Sequence, residues 1–278
     1  MGSYIRPDEM SRRGLLSWTI SILREHGLRP RRKLSQNFIV DPRLIRDFIS
    51  HVNHAETTEI GCGLGTLTIP LSRVVPRLIC IEIDEKLLGI AVKNLNTSNT
   101  LFINADATKY TVFSRQVVGN IPYHVTSNIL VSIARSNNVE RVVFTLQKDV
   151  AERLVAKPGS KQYGRITILL NTLFNIEITG IYGPSSFYPE PKVGHAIITL
   201  TRRRVFNQDV FALEKLTRLL FTQRRRIALR VLAKSLGIGE DSEIYMYARE
   251  LLGDKRVYEV SGEVYAALAR RLRENGLL

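Results

Sequence analysis

Between residues 57 and 146, short apolar runs alternate with segments whose apolar positions recur every three or four residues. Compact aliphatic runs bounded by turn residues read as buried strands, and the wider spacing reads as helices. The pattern predicts strands over 57–60, 78–83, 100–103, 116–118 and 141–146, with helices over 67–73, 85–95 and 126–134. Strands that recur about every 20 residues leave room for right-handed crossovers, so the expected core is a parallel sheet with helices on both faces. Upstream, Leu15, Leu16, Ile20 and Leu23 share one helical face, which Gly27 ends. Asp41-Pro42 has the form of a helix start, an acidic cap followed by proline in the first turn, and its helix should reach about His51.

Residues 193–201 (VGHAIITLT) read as a closing strand. After Arg202-Arg203-Arg204 the character changes, and 208–236 and 241–275 are helical and charged with no convincing strand. The expected division is an N-terminal helical and basic extension over 1–32, an α/β domain over 33–203 and a small all-α domain over 204–278.

Composition narrows the function. Lys and Arg number 40 against 26 Asp and Glu, a formal charge of +14 that favours a polyanionic partner, nucleic acid first. No apolar run is long enough to span a bilayer, and Asp8, Glu9 and Glu25 argue against a targeting peptide, so a cytoplasmic monomer is expected. Cys62 and Cys80 have no zinc or disulfide-framework spacing, and His26, His51, His54, His124 and His195 show no ligand spacing, so no metal is expected.

Glu59-Ile60-Gly61-Cys62-Gly63-Leu64-Gly65 follows a strand and opens a helix. Glycines let such a loop turn tightly and admit a ligand close to the backbone, although a lone glycine-rich turn is weak evidence of a site. Thr66 stands where a dinucleotide fingerprint would need glycine, and a phosphate-binding GK[ST] is absent. Glu82, at the end of the next strand, is placed to accept from ribose hydroxyls, or else is an ordinary helix-start charge. Asp106, after the third strand, is placed to accept from an adenine amine, or else is a turn residue. Three such groups at the carboxyl ends of successive strands are far more specific than any one of them. In Gly119-Asn120-Ile121-Pro122-Tyr123, Pro122 pushes Ile121 out of the helical region. The Asn120 amide oxygen and Ile121 carbonyl could then accept both hydrogens of an exocyclic amine, with Tyr123 stacking on the base; a plain turn is the alternative.

These motifs, with Gln36-Asn37-Phe38, the segments 147–153 (QKDVAER) and 158–165 (PGSKQYGR), Phe187-Tyr188-Pro189-Glu190-Pro191-Lys192-Val193 and 221–226 (FTQRRR), resemble the KsgA-type ribosomal RNA adenine N6,N6-dimethyltransferases. The resemblance covers about residues 33–200 and extends more loosely into the helical part. It implies a Rossmann-like methyltransferase sheet, S-adenosyl-L-methionine as cofactor and small-subunit ribosomal RNA, or a pre-ribosomal small subunit, as substrate. It also implies that Asn37, Ile39, Gly61, Gly63, Gly65, Glu82, Asp106 and Asn120 line the cofactor. Asn120 and Ile121, with Pro122, would hold the target nitrogen, and Tyr123 and Phe187 would sandwich the adenine. Gly194-His195 departs from the Asp-Ser usual in the family. Candidate phosphate contacts are Arg31, Arg32, Lys33, Lys157, Lys161, Arg165, Arg202, Arg203, Arg204, Arg224, Arg225 and Arg226. Rival readings are a large-subunit methyltransferase of the antibiotic-resistance type, a non-catalytic ribosome-assembly or transcription factor on the same fold, and a DNA amino-methyltransferase. The 158–165 motif favours the small-subunit type, and the acids favour retained catalysis. A DNA enzyme would need a larger recognition domain.

Overall fold

A computed structural model describes residues 5–31, 36–95, 97–109 and 113–278. Its contacts divide into two compact units, Met1–Ala151 with Glu177–Thr201, and Glu152–Ile176 with Arg202–Leu278.

The first unit is α/β. Its seven-stranded sheet comprises β2 (Thr57–Ile60), β3 (Leu78–Glu82), β4 (Thr100–Asn104), β5 (Gln116–Asn120), β6 (Arg141–Gln147), β7 (Phe174–Tyr182) and β9 (His195–Arg202). They lie in the order β4-β3-β2-β5-β6-β9-β7. Strands β2 to β6 are mutually parallel and β9 runs antiparallel to β6. The crossovers carry α3 (Thr68–Val74), α4 (Glu85–Asn94) and α5 (Thr126–Arg135). A separate two-stranded ribbon pairs β1 (Phe38–Ile39) with β8 (Phe187–Tyr188), aligning Ile39 with Phe187.

Sequence dictates these elements locally. Asp41 accepts from the Arg43 N–H at 3.0 Å and so caps α2 (Pro42–Ser50), satisfying one of the donors a helix start leaves open. Asp84 does the same for α4 through the Lys86 N–H. Polar residues of the fully buried β2 are all bonded: Thr58 donates to Ser114 at 3.0 Å and Thr57 accepts from Gln116 at 2.9 Å. Leu15 of α1 (Arg12–Glu25) packs with Leu44, Phe48, Leu71, Val118 and Ile197 in one cluster, so the N-terminal helix belongs to the sheet unit rather than standing apart. Phe48 is fully buried; Phe48→Ala would cost about 3–5 kcal/mol in lost transfer energy and cavity.

The second unit is helical, with α7 (Arg165–Leu173), α8 (Gln208–Leu220), α9 (Ala228–Leu236), α10 (Glu243–Leu252) and α11 (Gly262–Glu274). Residues 152–176, expected with the sheet, cluster with these helices. Tyr163 and Ile168 share a core with Leu216, Tyr265 and Leu268, and burying those side chains outweighs their chain position. The Tyr265 hydroxyl donates to the Val257 carbonyl at 2.6 Å, which satisfies the polar end of a fully buried ring.

Candidate active site

From β2 the chain steps outward to β3 and β4, whereas β5 and β6 lie on the other side of β2. A reversal of this kind leaves a crevice beyond the carboxyl ends of the central strands, where ligands of open sheets bind. Here it is a cavity open to solvent. Asn37, Ile39, Gly61, Gly63, Glu82, Asp106 and Asn120 all line it, so residues spread over more than 80 positions converge. Gly65 does not line it; a Cβ there would touch Ala91 of α4 only at ordinary contact distance, and what calls for glycine is its φ of 88°.

Gly61 and Gly63 hold φ of 78° and 54°, conformations that cost other residues energy, which is why the loop needs glycine. Gly119 has a different reason: any Cβ would collide with the Ile60 carbonyl oxygen, where β5 passes close to the end of β2. Glu82 is 7% exposed and accepts N–H bonds from Gly63 (3.0 Å) and Asp84 (2.9 Å). The loop is therefore pinned to the acid of the next strand. Burial raises the Glu82 pKa, opposed by those backbone N–H groups. Each oxygen retains a second lone pair for a ligand hydroxyl. Asp106 accepts from both the N–H (2.9 Å) and the hydroxyl (2.7 Å) of Thr108, which hold its carboxyl below the usual range. Glu59 also lines the cavity, 1% exposed, and burial pushes its pKa up to about 7.

At the other end, the Asn120 amide nitrogen donates to the Asn37 carbonyl at 2.8 Å. That bond fixes the amide and leaves Oδ1 as the acceptor. The Asn37 side chain donates to the Tyr123 hydroxyl at 2.8 Å, and the hydroxyl lies 3.0 Å from His195 Nε2. Pro122 lines the cavity, whereas the Ile121 side chain is buried and its N–H donates to the Thr145 carbonyl. Tyr123 and Phe187 do not face each other across an open slot. Phe187 is 1% exposed, with its ring 4.1 Å from His195, and the same imidazole sits 5.5 Å from the Tyr123 ring.

Several contributors have roles that the sequence motifs do not reveal. Gln36 accepts from the Arg31 N–H and donates to Asp84, tying the segment before β1 to the start of α4. Ile83 lines the cavity while 52% exposed, an apolar wall next to the Glu82 carboxylate. Its place directly after the strand-end acid was the available signal. His195 carries no site role in the sequence, where it stands out as a departure from the family pattern and as a histidine without ligand spacing.

Among the basic candidates, Arg32 and Lys33 lie outside the described residues. Arg31 pairs with Asp84 at 3.3 Å. Lys157, Lys161, Arg165, Arg203, Arg204, Arg225 and Arg226 are exposed in the helical unit. Arg224, Arg202 and Arg203 have structural partners, Arg203 donating to the Asn171 carbonyl. Arg224 donates to the carbonyls of Lys161 (2.9 Å), Tyr163 (3.1 Å) and Ser160 (3.3 Å) and lies over the Tyr258 ring, so its fork is committed to the 158–165 segment. Arg202 stacks 4.4 Å over Phe174, and burial pulls its pKa down to about 10. Among the described residues, three or more His, Cys, Asp or Glu nowhere gather as a metal site, and no helix is long and apolar enough to cross a membrane.

A profile of the family described as ribosomal RNA adenine dimethylase matches residues 27–274. A Thermococcus gammatolerans protein named "Probable ribosomal RNA small subunit methyltransferase A" is 32% identical over 266 residues, covering 93% of this chain and 95% of that protein. The Bacillus licheniformis ribosomal RNA small subunit methyltransferase A is 31% identical, covering 92% and 96%. Among solved structures, a Plasmodium falciparum dimethyladenosine transferase superposes with a TM-score of 0.74 at 21% identity, covering 86% of this chain and 98% of that one. The 23S rRNA methyltransferase ErmE gives 0.65 at 24% identity, covering 85% and 99%. At those identities the two structures speak to the fold.

Proposed function

The chain belongs to the ribosomal RNA adenine dimethylase family, and from that premise we propose that it converts adenine in small-subunit ribosomal RNA to N6,N6-dimethyladenosine, working as a cytoplasmic monomer. It is an S-adenosylmethionine-dependent enzyme acting on ribosomal RNA. The small subunit as target is inferred from what the relatives are named for. The observation that carries the chemistry is the Asn120 side chain, held by its nitrogen at the edge of the cavity with its oxygen left to accept.

The residues present fit the cofactor. A loop of positive-φ glycines admits a ligand against the backbone, Glu82 offers two carboxylate oxygens for ribose hydroxyls, and Asp106 offers an acceptor for the adenine amine. Asn37 and Ile39 wall the opposite end. S-adenosyl-L-methionine supplies an electrophilic methyl group on its sulfonium.

The chain's own task is to prepare the nucleophile. The N6 lone pair of adenine is delocalised into the ring and attacks poorly. Accepting both N–H hydrogens, at Asn120 Oδ1 and the Ile121 carbonyl, localises that pair and aims it. Orientation of this kind accounts for up to roughly 7–11 kcal/mol in the best cases. Each transfer forms an N–C bond as the methyl–sulfonium bond breaks, and the nitrogen then gives up a proton to solvent. The monomethylated amine so formed regains its lone pair and keeps one hydrogen, which one of the two acceptors can hold for a second transfer. The target base must leave its stack, at a cost of a few kcal/mol. Stacking against Tyr123 would return about 1–3 kcal/mol. Phe187 sits too deep, and too close to His195, to serve as the second face in this conformation. Exposed Lys157, Lys161, Arg165, Arg203, Arg204, Arg225 and Arg226 are the proposed phosphate contacts.

The test is nucleoside analysis by mass spectrometry after incubating the protein with S-adenosylmethionine and unmethylated small subunits. Appearance of N6,N6-dimethyladenosine is expected. Methylation confined to another nucleoside would overturn the assignment of Asn120 and Ile121.

A further inference from the structure

His195 stands at the start of β9, and three contacts set it there. It pairs with Gln147 across β6 and β9. The Lys148 N–H donates to the Gly194 carbonyl at 2.9 Å. Gly194 itself has no room for a side chain, because a Cβ would lie 2.9 Å from the Tyr182 carbonyl oxygen. Gly194 and His195 are therefore one device: the glycine permits the approach that puts the imidazole where it is.

The ring lies 4.1 Å from Phe187 on one side and 5.5 Å from Tyr123 on the other. It is 1% exposed, and its Nδ1 has no partner among the described residues. Its Nε2 meets the Tyr123 hydroxyl at 3.0 Å. Asn37 Nδ2 can only donate, so the Tyr123 oxygen accepts from it. The hydroxyl hydrogen is then available for Nε2, and the ring proton sits on Nδ1. Donors run in one direction, from Asn120 to the Asn37 backbone carbonyl, and from the Asn37 side chain through Tyr123 to His195. A buried imidazole nitrogen without a partner is a cost to the fold, and the contacts the ring does make are those of its other nitrogen and its faces.

We propose that His195 is a positioning residue for methyl transfer: its Nε2 anchors the Tyr123 hydroxyl and, through Tyr123 and Asn37, holds the Asn120 amide oxygen toward the target nitrogen. The inference rests on the reading of Asn120 as the acceptor for that nitrogen. Protonation would reverse the chain's last link, because an Nε2–H would face a hydroxyl that already accepts from Asn37. Burial pushes the His195 pKa down to about 4, against a weaker pull upward from Asp149, the charged group facing it. The ring is thus neutral near neutral pH, and His195 contributes no inflection to the rate above about pH 5.

The experiment compares wild type, His195→Phe, His195→Gln and Tyr123→Phe. Single-turnover transfer is measured at saturating RNA and S-adenosylmethionine, with S-adenosylhomocysteine titration as the check that the site is folded. His195→Phe keeps the ring against Phe187 but removes the acceptor, and should slow transfer about tenfold while changing S-adenosylhomocysteine affinity less than about threefold. His195→Gln restores an acceptor and should recover the rate to within about threefold of wild type. Combining His195→Phe with Tyr123→Phe should add nothing to the slower single variant. Nitrogen-15 spectra of the wild type give a reading independent of activity: a neutral Nδ1–H tautomer at about pH 6, with an Nε2 signal that moves in Tyr123→Phe. His195→Phe at the wild-type rate, glutamine no better than phenylalanine, an Nε2–H tautomer, or a spectrum indifferent to Tyr123→Phe each overturns the proposal. A wild type that methylates no ribosomal RNA refutes the proposed function instead, and the spectra still decide the role of the ring.

Discussion

Replacing Glu59 by glutamine removes a carboxylate that is 1% exposed beneath the cofactor loop. Burial in an apolar setting disfavours its charged form and carries the pKa from 4.5 to about 7, opposed by hydrogen bonds from Thr68 and Cys80. A carboxyl whose pKa is raised on folding binds its proton more tightly in the native state. Its contribution to stability is complete below about pH 4.5 and is lost as pH rises through about 7. The shift corresponds to about 3 kcal/mol. Glutamine cannot titrate, so Glu59→Gln should gain on wild type by about 3 kcal/mol between about pH 4.5 and pH 8. Glu82 is shifted in the same direction by burial, but it is present in both proteins and largely cancels in the difference. The assay is urea unfolding of both proteins, followed by circular dichroism across that range, without cofactor. A difference independent of pH, or one that widens toward acid, would refute the reasoning.

Asn120→Ala removes the acceptor for the target amine and should lower single-turnover transfer about 100-fold, with S-adenosylhomocysteine affinity within about threefold by calorimetry; equal losses in both would contradict the role of the side chain. Arg224→Ala strips three backbone carbonyls of their donor and should destabilise the protein by about 1–3 kcal/mol. Arg225→Ala and Arg226→Ala should leave stability within about 0.5 kcal/mol and instead weaken RNA binding, both read by thermal melting and filter binding. Affinity for ribosomal RNA should fall steeply as salt rises from about 50 to 200 mM; a flat response would remove the phosphate-contact role of the exposed basic residues.

The parallel core was legible because β3, β5 and β6 carry short apolar stretches, where burial on both faces needs no alternation, and because β2 runs directly into the glycine loop. Neither β7 nor α7 is predicted from the sequence. The nine residues of β7 have no clean inside and outside: they are mostly half-buried or exposed, as suits the edge of a sheet. The ribbon of β1 and β8 is two residues long on each side, too short for any period, and it forms only because segments 149 positions apart (Phe38 and Phe187) are brought together. Glu82, Asp106 and Asn120 were readable because strand ends in a parallel sheet share one rim, so position along the chain translates into position in space. The fate of Tyr123 and Phe187 was not readable in that way. It depends on a third ring, His195, that arrives on the antiparallel strand β9, and on Gly194 permitting the approach. Arg224 likewise looks like its neighbours in a basic run, and only the fold separates a guanidinium spent on backbone carbonyls from those left to solvent.

The central claim is that this chain dimethylates adenine in the small ribosomal subunit. Its most direct test is incubation with methyl-labelled S-adenosylmethionine and under-methylated small or large subunits in parallel, followed by digestion and identification of the labelled nucleoside. Labelled N6,N6-dimethyladenosine from the small subunit alone is the predicted result. Label in the large subunit alone would contradict it and move the chain to the large-subunit type of enzyme. No label in either, with S-adenosylmethionine bound, would contradict it in favour of an assembly factor built on the same fold.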